Sequence, residues 1–136
     1  MPTKNNTALV LQLYEHFDSG NLDGFADSIS SEFVANVLGT TKLDWIGFKQ
    51  FAGAFTSAFP DGRHVFDHVV TDGETVVTIG TYQGTQTGEI QGISPTNNQL
   101  KLSVMHLDRV VNGKVVEHRG IANEADFLRQ LGAIPT

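Results

Sequence analysis

An α+β fold, a curved antiparallel-rich sheet wrapped around three to four helices, follows from three features of the sequence. Apolar residues recur at helical spacing up to Pro60, and the spacing changes to alternation from Arg63 onward. Two turn dipeptides, Asp72-Gly73 and Asn112-Gly113, divide the second half into hairpins. Helices first and strands afterwards set this pattern apart from the βαβ alternation of a parallel sheet. The chain has nine phenylalanines, mostly on the helices, and they give the sheet an apolar mass to curl around and an internal pocket to enclose.

Val10, Leu13, Tyr14 and Phe17 fall at i, i+3, i+4 and i+7, the inner stripe of a first helix. Asn5, Asn6 or Thr7 caps its start and Asp18-Ser19-Gly20 ends it. A short second helix follows, with Asn21 as N-cap and Leu22, Phe25, Ala26 and Ile29 on its inner face. A third opens near Asp44, carries Phe48, Phe51, Phe55 and Phe59 along one side, and stops at Pro60-Asp61-Gly62. Val65–Thr71 and Glu74–Thr87 read as one hairpin, residues 88–99 as a loop, and Lys101–Val110 with Lys114–Ala122 as a second hairpin. A last helix runs from Asn123, its N-cap, to Leu131, with Gly132 as its stop.

The 136 residues suit one domain, residues 1–136, and a chain of that size buries enough surface to fold without a staple. The absence of cysteine removes disulfides, thiolate metal sites and a cysteine nucleophile together. A net charge of −6 supplies no basic field for nucleic acid or an anionic membrane. No apolar run approaches the roughly 20 residues of a membrane span, and MPTKNNT has no signal-peptide core, so a cytoplasmic protein is expected.

The stretch LDRVVNGKVVEHRGIANEADFLRQLGAI resembles the C-terminal signature of SnoaL-like polyketide cyclases, in which a hairpin carrying G-K and E-H leads into a helix ending Q-L-G. FPDGRHVFDHVVTDGETV, GTQTGEIQGISPTNNQ and FKQFAGAF fit further segments of that family, in order, over nearly the whole chain. The resemblance implies the cone-shaped, cystatin-like fold shared with nuclear-transport-factor-2-like proteins and ketosteroid isomerase. It also implies a cofactor-independent, aldol-type ring closure on a small apolar carbonyl compound, with neither metal nor organic cofactor.

That chemistry takes a proton from a carbon next to a carbonyl, so it needs a base of near-neutral pKa and a donor aimed at the developing oxyanion. Position by position, the resemblance places family histidines at His106 and His118, the expected catalytic pair. It places the family's acid/base aspartate at Gly120, a histidine at Asn36, another at Gln86 and a tryptophan at Arg119. With no side chain at Gly120, and with Asp44, Asp61 and Asp72 reading as caps or turns, the expected base is a histidine. Tyr14, Asn36, Gln86 and Phe55 are the expected ligand-contacting residues. Asp108 is the one carboxylate near the histidines on that face, too few ligands for a tetrahedral metal site.

Two hairpin registers are open. A two-residue turn at Asn112-Gly113 pairs Val111 with Lys114 and sets His106 beside Arg119; a three-residue turn with a bulge at Gly113 sets His106 opposite His118. The resemblance favours the second, because the paired histidines must share a pocket. In that register Met105, Leu107, Val115 and Ile121 face outward, an apolar surface that predicts a homodimer. Arg109 and Glu117 read as a cross-strand pair on the outer face. Two functional readings stand together: a cyclase- or isomerase-type enzyme, and a non-catalytic small-ligand-binding or dimerisation module of the same superfamily.

Overall fold

The structure, a computed structural model, describes residues 3–37 and 41–135. Helix α1 spans Thr3–Asp18, a 3-10 helix Leu22–Ser28, strand β1 Ile29–Val37 and strand β2 Thr41–Leu43. Helix α2 spans Trp45–Ala58, and four strands follow: β3 Arg63–Asp72, β4 Thr75–Thr85, β5 Gln99–Val111 and β6 Lys114–Ala122. Helix α3, Glu124–Gln130, is the last element. The six strands form one sheet in the order β2-β1-β6-β5-β4-β3, antiparallel at every step except the parallel β1–β6 pair. No helix among the described residues is long and apolar enough to cross a membrane.

The helical stripes pack as their spacing requires. Val10, Leu13, Tyr14 and Phe17 of α1 are buried, as are Phe48 and Ala52 of α2 and Phe59 just beyond it. Asp44 caps α2 by accepting from the Gly47 N–H at 2.8 Å, and Asn123 caps α3 by accepting from Asp126 at 3.0 Å. Asn6 caps nothing: its buried side chain donates to the Gly73 carbonyl and ties α1 to the β3–β4 turn.

Three parts of the chain depart from the sequence-based expectation. The expected second helix is a 3-10 turn in which Ala26 is exposed and Asn21 makes no side-chain cap, and Ile29 already belongs to a strand. That strand, β1, and the short β2 add two members to the sheet. Phe33, Ala35 and Val37 alternate inward along β1, whereas its serines, glutamate and asparagine have little strand preference.

The β5–β6 register is neither of the two expected. Val111 pairs with Lys114 across a two-residue turn whose residues, Asn112 and Gly113, both have positive φ, 52° and 76°. The ladder then absorbs one extra residue, Val116, because Val110 pairs with Val115 but Arg109 with Glu117. Asp108 therefore lies opposite His118 and His106 opposite Gly120. The bulge also turns Val115 inward, where it is wholly buried, so it is not part of the outer face. Arg109 and Glu117 are paired outside as expected, Nε to Oε1 at 3.4 Å.

Candidate active site

Strand alternation sends His106 and Asp108 of β5 and His118 of β6 to the concave face, beneath Tyr14 of α1. Tyr14, His106 and His118 border a cavity of about 120 Å³, room for roughly four water molecules at their liquid volume, and Asp108 lies behind them. Apart from these polar groups its wall is largely hydrocarbon, with Phe48, Phe51 and Phe55 of α2 and Phe127 of α3 among the lining side chains. In such surroundings a polar atom without a partner is costly, so each buried polar group should be hydrogen-bonded or should face the cavity.

Asp108 is 0% exposed and is held by two donors. The Tyr14 hydroxyl donates to one carboxylate oxygen at 2.5 Å, and His118 Nδ1 meets the other at 2.7 Å. The carboxylate keeps the His118 proton on Nδ1 and leaves Nε2 as the ring's cavity-facing nitrogen. Burial, with the Asp108 charge beside it, pushes the Tyr14 hydroxyl well above its ordinary pKa, so Tyr14 stays a proton donor to Asp108. The expected ligand contact at Tyr14 is thus a ring surface, its hydroxyl proton being already engaged.

His106 is built differently. Its Nδ1 lies 3.2 Å from the Thr78 hydroxyl on β4, and no carboxylate braces it. Burial, together with the neighbouring imidazoles of His118 and His64, holds its pKa well below the usual histidine value, so the ring is neutral at pH 7. When Thr78 donates to Nδ1, the neutral ring carries its proton on Nε2. Both Nε2 atoms approach Gly120: a Cβ built there would lie 3.4 Å from Nε2 of His118 and 3.8 Å from Nε2 of His106. The absent side chain leaves a gap between two imidazoles.

A third imidazole, not anticipated from the sequence, also lines the cavity. His64 of β3 has its Nδ1 2.7 Å from Asp18 at the end of α1, and its ring centroid lies 5.4 Å from that of His106. Among the described residues these side chains are not grouped to hold a metal ion.

Of the six expected site residues, Tyr14, Phe55, His106 and His118 line the cavity and two do not. Asn36 belongs to β1, and alternation against the buried Ala35 and Val37 turns it to the outer face, paired with Lys42 and Arg119. Gln86 is wholly buried but committed elsewhere: its amide donates to the carbonyls of Gly88, Ile93 and Ser94, and its oxygen accepts from Thr96. It holds the loop between β4 and β5 together.

Comparison with known proteins agrees with this architecture. The structure is similar to that of AclR, a candidate hydroxylase of Streptomyces galilaeus, with a TM-score of 0.88 and 24% identity over 98% of this chain and 89% of that one. It is equally similar in TM-score, 0.88, to a candidate SnoaL-like polyketide cyclase of Jannaschia sp. CCS1, at 19% identity over 99% and 97% of the two chains. IdmH, a candidate polyketide cyclase of Streptomyces antibioticus, matches at 29% identity and a TM-score of 0.79 over 93% of this chain and 98% of its own. No curated protein matches in sequence. The family model for SnoaL-like polyketide cyclases matches residues 8–131, nearly the whole length, and the chain belongs to that family.

Proposed function

We propose that this protein binds a small apolar carbonyl compound in the cavity and catalyses a cofactor-independent acid–base reaction on it, an aldol-type ring closure or an isomerisation. One observation carries the reading: an apolar cavity contains two imidazoles of opposite design, both with Nε2 beside Gly120. His118, braced by Asp108, presents a lone pair and acts as the base. His106, neutral and backed by Thr78, presents an N–H and donates to the carbonyl oxygen as charge develops on it. A neutral imidazole suits that role because it stabilises the oxyanion without handing over its own proton. Asp108 steadies the imidazolium that forms on His118.

Enolisation is the test, because it needs no knowledge of the natural substrate. In deuterated water, followed by NMR, the protein should accelerate exchange of the α-protons of heptane-2,6-dione. His106→Ala should lower that rate about 100-fold, the usual worth of one oxyanion donor. Exchange at the wild-type rate in both His106→Ala and His118→Ala would leave a ligand-binding module with no acid–base site.

The same reading includes a homodimer through the outer face of the sheet. Ile79, Met105 and Ile121 are directly paired across β4, β5 and β6, and Val70, Val77 and Leu107 form a second apolar row across β3, β4 and β5. Val70, Met105 and Ile121 are 58%, 43% and 56% exposed, a contiguous surface that a second copy related by a two-fold axis would cover. Sedimentation at micromolar concentration should show twice the chain mass; a purely monomeric species would overturn the dimer, and Met105→Lys should shift the equilibrium toward monomer.

A further inference from the structure

Asp18 and His64 form a second carboxylate–imidazole pair on the same cavity, and the roles assigned to His106 and His118 leave it unused. Asp18 is the last residue of α1, and His64 lies near the start of β3. One Asp18 oxygen accepts the His64 backbone N–H at 2.7 Å, and the other meets the ring Nδ1, also at 2.7 Å. The backbone bond alone would suffice to tie helix to strand. The second bond fixes the ring, whose side chain is 6% exposed, and leaves Nε2 with no hydrogen-bond partner among the described residues.

The pair repeats the design of Asp108–His118 on the other side of His106, whose ring centroid is 5.4 Å from that of His64 and 5.6 Å from that of His118. The titratable groups around His64 are Asp18 and Tyr14 from α1, Tyr82 from β4 and His106 from β5. Asp18 is the one carboxylate in direct contact with the ring, one of its oxygens lying 2.7 Å from Nδ1.

We propose that His64, braced by Asp18, is a second catalytic acid of this site. The inference rests on the acid–base reading above and completes its proton count. His118 Nε2 takes a proton from the carbon next to the carbonyl held by His106. The electron pair released forms a carbon–carbon bond to a second carbonyl carbon of the same molecule. Unlike His118, His64 enters the step with a proton on each ring nitrogen, the one on Nδ1 held by Asp18; the π pair of that carbonyl moves to its oxygen, which takes the proton from His64 Nε2. One C–H bond breaks, one C–C bond and one O–H bond form, and His118 ends with the charge that His64 has lost. Exchange with solvent restores both rings.

Two rates on one probe separate this role from a structural one. With heptane-2,6-dione in deuterated water, NMR reads α-deuteration, which reports His118 and His106, and formation of the cyclic β-hydroxyketone, which also needs the acid. His64→Gln should lower the ratio of closure to deuteration about 100-fold, within the usual worth of general acid–base catalysis. Asp18→Asn, which keeps the shape of the tie between α1 and β3, should lower the same ratio about tenfold. A parallel fall of both rates, with the ratio unchanged in both variants, would reduce the pair to a structural tie and overturn the proposal. Wild-type protein that deuterates the diketone without closing it overturns the second acid and leaves the first site standing; failure to deuterate removes both.

Discussion

Asp108→Asn should abolish nearly all proton abstraction, by about a thousandfold, while leaving the cavity intact. The substitution conserves shape but reverses one hydrogen bond. Tyr14 donates to one oxygen of Asp108, so the asparagine oxygen stays on that side and its NH₂ faces His118 Nδ1. Nδ1 must then accept, the ring proton moves to Nε2, and the cavity faces a donor where it faced a lone pair. An orienting aspartate replaced in this way costs a serine protease about four orders of magnitude through the same change of tautomer, and a thousandfold allows for the partial freedom of this ring. Deuteration of heptane-2,6-dione measures the loss, and binding of the diketone by calorimetry should stay within about threefold. Adding Tyr14→Phe removes the constraint on the amide, so the double variant should recover about tenfold of the rate. A single variant that exchanges as fast as wild type would remove His118 as the base.

Gly80→Ala should cost about 3 kcal/mol or more of stability and lower the melting temperature by roughly 10 °C. Gly80 faces Phe66 where β3 bulges, and a Cβ there would lie 2.0 Å from the Val65 carbonyl oxygen and 2.7 Å from the Phe66 Cα. Both obstacles are backbone, so no rotamer change relieves them and β3 must move away. That edge strand carries His64 and Phe66, two rings that pack against Tyr14. Gly53→Ala is the control with the opposite sign. It lies in α2 with nothing within 4 Å of its Cβ position, so alanine should stabilise by about 0.5–1 kcal/mol. Thermal unfolding of the two variants side by side checks both, and equal melting temperatures would contradict the packing described.

Helices α1, α2 and α3 and the two hairpins were legible because each rests on local periodicity and local turn chemistry. Strand β1 was harder: its inward alternation at Phe33, Ala35 and Val37 is visible in retrospect, but its polar residues are poor strand formers and its partner β6 lies more than 80 residues away. The shared face of His106 and His118 was legible, whereas their register was not, because the extra residue sits at Val116 and not in the turn. That shift is why Asp108 went unrecognised as the brace of His118. His64 gave no signal of its own; its meaning depends on Asp18, contributed by a different element. Asn36 and Gln86 followed the resemblance, and the backbone sent one outward and spent the other inside a loop.

Two of the ties that hold the site join residues far apart along the chain. Tyr14 and Asp108 are separated by 94 positions, and Asp18 and His64 by 46. Bringing ends together over some 94 residues costs about 2 kcal/mol more chain entropy than closing a ten-residue loop. The Asp108–His118 contact spans ten positions and forms within one hairpin, but the cavity around it cannot be completed early. During synthesis α1 emerges before β5 and β6 and has to wait for them before Tyr14 finds its acceptor, and His118 faces an enclosed cavity only once the sheet has closed over α1. Acquisition of acid–base competence should thus coincide with the slowest, most non-local step of folding, so the appearance of exchange activity during refolding would serve as a clock for completion of the sheet.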